Sequence, residues 1–255
     1  MVRSQEPLPD FSQPPVVEVA LSVQFQRLPG LGTAQVGLLW GEYRDRFPKT
    51  EDYPPLGTAF ERFGVPPRNV DEIPWEIRTG PPTPRCWFLS EDGSELIQVQ
   101  QDRFVFNWRK PDIGGDYPHY GNVRARFQEE INLIQSGPVW TRLGQVGEVI
   151  AVVNPEPRNT WLPECEEARL ITRYIMRDPK GRPIGRLHIE LESAVQESDG
   201  SPLFALKLTA RGEPTGAGLD GVMSFFDLGR EWIVRGFAAI TTPVMHTVWG
   251  RRDVP

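Results

Sequence analysis

Cysteine and histidine are scarce in this chain of 255 residues, which has two cysteines and three histidines. Cys86 and Cys165 are too few for a disulfide framework or a structural zinc site. His119, His188 and His246 share no metal-binding spacing, and the H-E-x-x-H pattern does not occur. Because reduced thiols are typical of cytosolic proteins, the sequence predicts a cytoplasmic protein with no metal and no cofactor.

Long apolar runs and several common catalytic motifs are also absent. No window approaches the ~20 apolar residues of a membrane-spanning helix, and the polar segment 1–13 lacks the apolar stretch of a signal peptide. No P-loop, C-x-x-C pair or G-x-S-x-G elbow occurs. The sequence therefore predicts no membrane association and indicates no catalytic residue, which weighs against an enzyme without excluding one.

The charge balance is acidic, with 34 Asp and Glu against 28 Lys and Arg and a net charge of −6. A general nucleic-acid binder needs a basic surface to neutralise phosphate, so this balance argues against that class, although a local basic patch stays open. The chain has 26 prolines and 24 glycines, which favours many turns and short strands over long helices.

Alternating apolar residues in the first half predict strands. Residues 17–25 alternate, and a helix capped by Thr33 and running to about Phe47 follows. A proline-rich excursion covers 48–84, with one helical turn expected near 58–63. A hairpin with a short arm at 86–89 and a long arm at 95–109 comes next, then a helix at 120–135 and a strand at 147–153.

The second half predicts a three-stranded antiparallel meander over residues 169–209, followed by a long helix from about 219 to 239. The fold class is therefore α+β, with an antiparallel sheet, helices on one face, a split βαβ-like first block, a meander and a long C-terminal helix. We expect a flexible segment at 1–14 and one domain at 15–250. Two sub-domains meeting near residue 155 are the alternative.

Arginines on the first meander strand are the candidate ligand-binding residues. Arg169 and Arg173 lie on one face of that strand, and His188 and Glu190 lie on the neighbouring strand. Opposite charges on adjacent strands usually form ion pairs on a wet face, but guanidinium groups also bind anions bidentately. Gln98, Gln100 and Asn107 form an amide-rich face that is interpreted as exposed sheet.

The last helix and the C-terminal segment supply the candidate partner-binding residues. The helix is apolar almost all round, so it is either the central core helix or is covered in part by another subunit. The helix also contains charged residues at spacings of three and four, namely Asp227, Arg230, Glu231 and Arg235. This pattern is typical of a solvated stripe of ion pairs. The residues assigned to partner binding are Phe225, Trp232, Arg235, His246 and Trp249.

Several short sequences together resemble a family of uncharacterised, sporadically distributed bacterial proteins of about this length. They are Pro14-Pro15-Val16-Val17-Glu18-Val19, Arg85-Cys86-Trp87-Phe88-Leu89, Leu96–Phe104, Asn107-Trp108-Arg109-Lys110, Tyr117-Pro118, Glu231–Phe237 and Met245-His246 with Trp249-Gly250. The resemblance covers nearly the whole chain and implies one domain. It implies no catalytic residue, and the patchy distribution implies an association with mobile or defence genes.

The leading hypothesis is a non-enzymatic, cytoplasmic protein-interaction or adaptor protein, for example an antitoxin-like or defence-associated one, whose partner is another protein or a second copy of the chain. The alternative is a small-molecule-binding protein or enzyme with a pocket between sheet and helices. A weaker alternative is nucleic-acid binding through the arginine-bearing face.

Overall fold

Strands and helices follow one another in an order close to that expected from the hydrophobic pattern. The computed structural model describes residues 7–57, 61, 63–64, 84–110, 116–135, 150–153, 169–178, 180–195, 202–214, 216 and 218–253. The strands are β1 (Pro9–Phe11), β2 (Glu18–Gln24), β3 (Lys49–Tyr53), β4 (Arg85–Leu89), β5 (Glu95–Gln100), β6 (Arg103–Arg109), β7 (Ile150–Val153), β8 (Arg169–Arg177), β9 (Pro183–Val195), β10 (Pro202–Gly212) and β11 (Arg251–Asp253). The helices are α1 (Thr33–Tyr43), α2 (His119–Gln135), α3 (Gly218–Ile240) and α4 (Pro243–Val248). The α+β class is confirmed.

Two antiparallel sheets with the same local topology make up most of the fold. The five-stranded sheet has the order β2-β6-β5-β4-β3, and the four-stranded sheet has the order β7-β10-β9-β8. In each sheet the first strand pairs with the last strand of a meander, and a helix follows that last strand: α2 after β6 and α3 after β10. The fold is therefore built from two halves with similar strand order.

The two halves join along their first strands and through their helices. Strands β2 and β7 run next to each other with Cα atoms within 8 Å, and α2 contacts α3. The hydrogen-bonded pairs of the described residues nevertheless divide into separate sheets, where the sequence analysis favoured one continuous sheet. The predicted packing of helices on one face is confirmed, because α1 packs on β4, α2 on β6 and α3 on β10.

Alternation of side chains along the strands places the core between the sheets and the helices. In β2, Leu21 and Val23 are fully buried toward the helices, and Phe104 and Phe106 of β6 lie beside them. Burying a side chain of this kind stabilises the folded state by roughly 1.5–3 kcal/mol. The predicted strand is present, but it is not buried on one face alone, because Ser22 and Gln24 on the opposite face of β2 are only 4% and 2% exposed.

Helix α3 is a core helix, as its apolar composition predicts. Its buried residues include Val222, Phe226, Ile233 and Phe237, and it packs on β9 and β10. At Gly236 an added Cβ would lie 2.8 Å from a methyl group of Leu187, so the helix backbone approaches the sheet closely there.

Two details differ from the sequence prediction, and three further positions are not described by the structure. The long hairpin arm consists of two strands, β5 and β6, joined by a turn at Gln101–Asp102 that contains neither glycine nor proline. Helix α1 has Gly32 rather than Thr33 at its N-cap and ends at Tyr43. The helical turn expected at 58–63 falls mostly outside the described residues, as do the strand start at 147–149 and Cys165.

Residues 9–11, within the segment 1–14 that the sequence analysis expects to be flexible, form a strand that pairs with the C-terminal strand. Strand β1 pairs with β11 in antiparallel register, so Phe11 lies opposite Arg251. The Phe11 ring is 5.3 Å from the ring of Phe237 and 6.3 Å from that of Trp249, and it is only 6% exposed. The sequence could not reveal this pairing because the two short strands are about 240 residues apart.

Replacing Phe11 with alanine is expected to lower the free energy of unfolding by roughly 3–5 kcal/mol, because it empties a buried aromatic site. Urea denaturation followed by fluorescence measures this loss. The control is Leu38→Ala on α1, where the side chain is 75% exposed and a change within about 0.5 kcal/mol is expected. A loss no larger than that of the control would show that β1 does not close the core.

Candidate functional site

The face of the sheets opposite the helices carries most of the polar residues that the sequence analysis selected. Leu187 and Ile189 of β9 face α3, so Arg186, His188 and Glu190 point to the other side. We call this surface the polar sheet face. Its main residues are Gln24, Gln98, Gln100, Arg103 and Asn107 in the five-stranded sheet and Arg186, His188, Glu190 and Arg211 in the four-stranded sheet.

The amide-rich part of the polar sheet face is buried rather than exposed, which corrects the sequence interpretation. Gln98 and Asn107 are 7% and 3% exposed. Gln98 Nε2 donates to Asn107 Oδ1 at 2.8 Å, and Asn107 Nδ2 donates to Glu18 Oε1 at 2.6 Å. Arg85 Nη1 donates to Gln98 Oε1 at 2.9 Å. These amides satisfy one another and are not available to read a ligand.

Part of the proline-rich excursion crosses the polar sheet face. The backbone of Leu56 exchanges two hydrogen bonds with the side chain of Gln100, at 2.8 and 2.9 Å. The carbonyl of Gly57 accepts a 2.9 Å hydrogen bond from Arg103. A few residues later Glu61 reaches the four-stranded sheet. The excursion therefore connects the polar faces of the two sheets.

Glu61 is the centre of a charged cluster with β9 and β10. Its carboxylate accepts a hydrogen bond from Arg186 Nη1, lies 2.7 Å from His188 Nε2 and is 3.9 Å from Arg211 Nη1. The Phe63 ring lies 4.7 Å from the Arg186 guanidinium. Burial alone would raise the pKa of Glu61, but the hydrogen bonds and charges of His188 and Arg186 outweigh it and lower the pKa. The carboxylate is thus the internal counter-ion of this cluster.

The four predicted ligand-binding residues lie on the adjacent strands β8 and β9. Arg173 is paired across the strands with His188, Ile171 with Glu190, and Arg169 with Glu192. His188 is engaged by Glu61, whereas Arg173 is exposed and makes no ion pair or hydrogen bond with any described residue. The cross-strand ion pair expected for Arg173 is therefore not formed with any described residue.

Sequence reasoning missed Glu61, although it is the acid that neutralises the cluster. It lies more than 120 residues before β9. Its segment is rich in proline and has no helical or alternating hydrophobic pattern from which its position could be predicted. The one available signal was that Arg186 of β9 and Arg211 of β10 lie on strands predicted to be neighbours. Two cations side by side need an acid from elsewhere in the chain.

Strand β8 is the terminal strand of the four-stranded sheet and exposes apolar side chains on both faces. Leu170 and Tyr174 are 54% and 48% exposed on the helix side, and Ile171 and Ile175 are 40% and 43% exposed on the polar sheet face. An edge strand offers unpaired backbone groups to another chain, and proteins usually protect it. β8 is therefore the clearest docking edge in the described part of the chain.

Most of the predicted partner-binding residues lie in the interior. Phe225, His246 and Trp249 are 3%, 8% and 5% exposed, because β1 and the core cover them. Trp232 packs against the core and is half-buried, and Arg235 forms a 3.1 Å ion pair with Glu231. These side chains hold α3 and the C-terminal segment in place.

His246 is fixed from both sides of its ring. Its Nε2 lies 2.7 Å from Thr241 Oγ1, and its Nδ1 lies 3.1 Å from Arg251 Nη1. Since the guanidinium can only donate, Nδ1 accepts and Nε2 carries the proton toward Thr241. The side chain of Thr242 caps α4 through the amide of Met245, and Pro243 begins the helix.

In the ranges that the structure describes, no group of His, Cys, Asp or Glu side chains is arranged to hold a metal ion. None of the helices in those ranges is long and apolar enough to cross a membrane. No protein-family model, no curated protein and no solved structure matches the sequence. The resemblance to sporadically distributed bacterial proteins therefore stays a prediction and transfers no function.

Replacing Glu61 with glutamine is expected to destabilise the protein by about 2 kcal/mol at neutral pH, because Arg186 and His188 lose their buried counter-ion. The folded pKa of Glu61 is lowered, so its contribution is complete above the unfolded pKa of about 4.3 and is lost as the pH falls through the folded pKa. Urea denaturation of both proteins at a series of pH values measures the difference.

The matched control is Glu42→Gln, an exposed glutamate on α1. Its free energy of unfolding should stay close to that of the wild type across the series. A constant difference between wild type and Glu61→Gln at all pH values would contradict the internal counter-ion role.

Proposed function

We propose that the protein is a non-enzymatic, cytoplasmic adaptor that binds an extended acidic segment of a partner protein along β8. The exposed apolar edge of β8 is the observation that carries this proposal. Addition of a peptide strand to a sheet edge uses main-chain hydrogen bonds for affinity and alternate side chains for specificity. β8 is nine residues long, which is enough for such a segment.

The charge of β8 supports an acidic partner. The strand contains Arg169, Arg173 and Arg177 and no acidic residue, although the whole chain has a net charge of −6. Arg177 donates to the carbonyl of Gly181 at 2.7 Å, and Arg173 extends into solvent without a described partner. Like charges placed opposite each other cost several kcal/mol, and opposite charges steer association.

The same arginines argue against a second copy as the partner. In an antiparallel pairing of β8 with itself centred on Arg173, Arg169 of one copy would face Arg177 of the other. Such a pair of cations is destabilising on a sheet. We therefore favour a different protein over self-association, and a role in a bacterial defence or toxin–antitoxin system rests on the sequence resemblance alone.

A labelled nine-residue peptide that alternates glutamate and valine is expected to bind the protein, with an affinity that falls as salt is added. The peptide that alternates lysine and valine should not bind. Fluorescence anisotropy measures both. Arg173→Glu is expected to weaken binding by about tenfold or more, and Ile175→Ser should also weaken it because an apolar contact is lost.

The matched controls are Arg44→Glu and Val244→Ser, which make the same chemical changes at exposed positions away from β8. Both should bind as the wild type does. Equal binding of the two peptides, or no effect of either β8 variant, would refute the docking edge. Preferential, salt-dependent binding of a single-stranded oligonucleotide over the acidic peptide would replace this function with nucleic-acid binding.

A further inference from the structure

A small cavity lies on the helix side of the fold, away from β8. It lies between β1, the start of β2, the start of α2 and the middle of α3, and has a volume of about 110 Å³. Phe11, Val16, Val19, Ile233 and Phe237 form most of its apolar wall. Four separate segments thus build one concave apolar surface, which is the usual form of a small-molecule site.

Five side chains with polar groups line this cavity, and they are Asp10, Tyr117, His119, Tyr120 and Arg230. The Arg230 guanidinium lies 5.1 Å from the ring centroid of Tyr120 and makes no hydrogen bond or ion pair with any described residue. The Tyr117 ring lies 5.4 Å from the ring of Trp108 and 5.5 Å from that of His119. Its hydroxyl has no hydrogen-bond partner among the residues that the structure describes.

The neighbouring acids explain why Arg230 has no counter-ion. Asp227, one turn earlier on α3, accepts two hydrogen bonds from Arg124 at 2.8 and 3.1 Å and one from Tyr120 at 2.8 Å. Glu231 is paired with Arg235 at 3.1 Å. The ion pairs that the helical spacing suggested for Arg230 are therefore made elsewhere.

The one acid in the cavity wall is also engaged. Asp10 accepts a 3.1 Å hydrogen bond from Arg252 of the neighbouring strand β11. Arg230 is thus a half-buried cation beside an apolar cavity without a paired carboxylate in the described part of the chain. A cation in such surroundings favours an anionic ligand.

Tyr117 and His119 have features typical of a binding site. Burial raises the pKa of Tyr117 to about 12, although Arg230 opposes the rise. The phenol is therefore a neutral donor at physiological pH. His119 has φ of +62°, a left-handed conformation that is uncommon for a side chain other than glycine. Such backbone strain is concentrated at functional sites, where surrounding contacts hold it.

We propose that this cavity binds a small monocarboxylate with a phenyl or branched aliphatic body. The carboxylate accepts hydrogen bonds from Arg230 and Tyr117, and the apolar body packs against Phe11, Val19 and Ile233. The volume of about 110 Å³ sets an upper limit on the apolar body that the cavity encloses, because an apolar cavity of about 150 Å³ holds one whole benzene molecule. The site is independent of the edge-strand function proposed for β8.

The test compares acids with amides of the same shape. Benzoate and 3-methylbutanoate are expected to bind the full-length protein, and benzamide and 3-methylbutanamide should bind roughly tenfold to hundredfold more weakly. Ligand titrations followed by NMR chemical shifts give the dissociation constants. Quenching of Trp108, which contacts Tyr117, gives an independent optical signal.

Arg230→Gln is expected to remove the preference for acid over amide, while Arg235→Gln, on the same helix but outside the cavity, should retain it. Val234→Trp fills the cavity and should abolish binding of both classes with Arg230 intact. This second variant keeps the test valid if Arg230→Gln does not fold. Equal binding of acids and amides, an unchanged preference in Arg230→Gln, or no saturable binding by the wild type would each overturn the proposal.

Discussion

The edge-to-face contact between Phe127 and Phe226 is the point on which the two halves of the fold depend. Their ring centroids are 5.0 Å apart at 87°, both side chains are fully buried, and Phe104 of the five-stranded sheet packs against Phe127 at 5.7 Å. One phenylalanine belongs to the helix of the first half and the other to the helix of the second. An aromatic pair of this geometry contributes about 0.5–1.5 kcal/mol beyond the area it buries. It also fixes the rotation of α3 relative to α2.

That rotation decides which charges meet. Asp227 follows Phe226 directly, and Arg124 precedes Phe127 by one turn, so the aromatic contact brings the carboxylate and the guanidinium together. Arg230 then lies one turn further along α3, beside Tyr120 and the cavity, without an acid to pair with. Glu61 has the corresponding effect on the polar sheet face, where it forms an ion pair with Arg186 and a hydrogen bond with His188 but does not contact Arg173. Two carboxylates thus determine which cations remain available for binding.

Most of the regular structure could be predicted from the sequence, because alternation and helical spacing are local properties. The meander of β8, β9 and β10, the buried face of β2 and helix α3 all follow from such patterns. Strands β1, β3 and β11 could not be predicted, since they are short and polar and their partners lie elsewhere in the chain. Their formation is decided by tertiary contacts rather than by local preference.

The candidate sites were less predictable than the fold, for the same reason. Arg173 and His188 could be placed on one face by counting along adjacent strands, and the structure puts them opposite each other. No local sequence pattern indicated that Glu61 would bind His188. None indicated that β1 would pack on α3 and enclose a cavity with Arg230 in its wall. Both features depend on contacts between segments that are distant in sequence.

The availability of a cation depends on the location of the nearest acid as much as on the cation itself. Arg230 and Arg235 are on the same helix and have the same chemistry. Glu231 pairs with Arg235, whereas Arg230 lines the cavity and pairs with no described acid. Arg173 and Arg186 show the same contrast on the sheet. In both places a salt bridge makes one arginine less available to an anionic ligand. A paired guanidinium would have to break its existing contact before it could bind an anion. An anionic group can therefore bind Arg230 or Arg173 without the free-energy cost of breaking an existing ion pair.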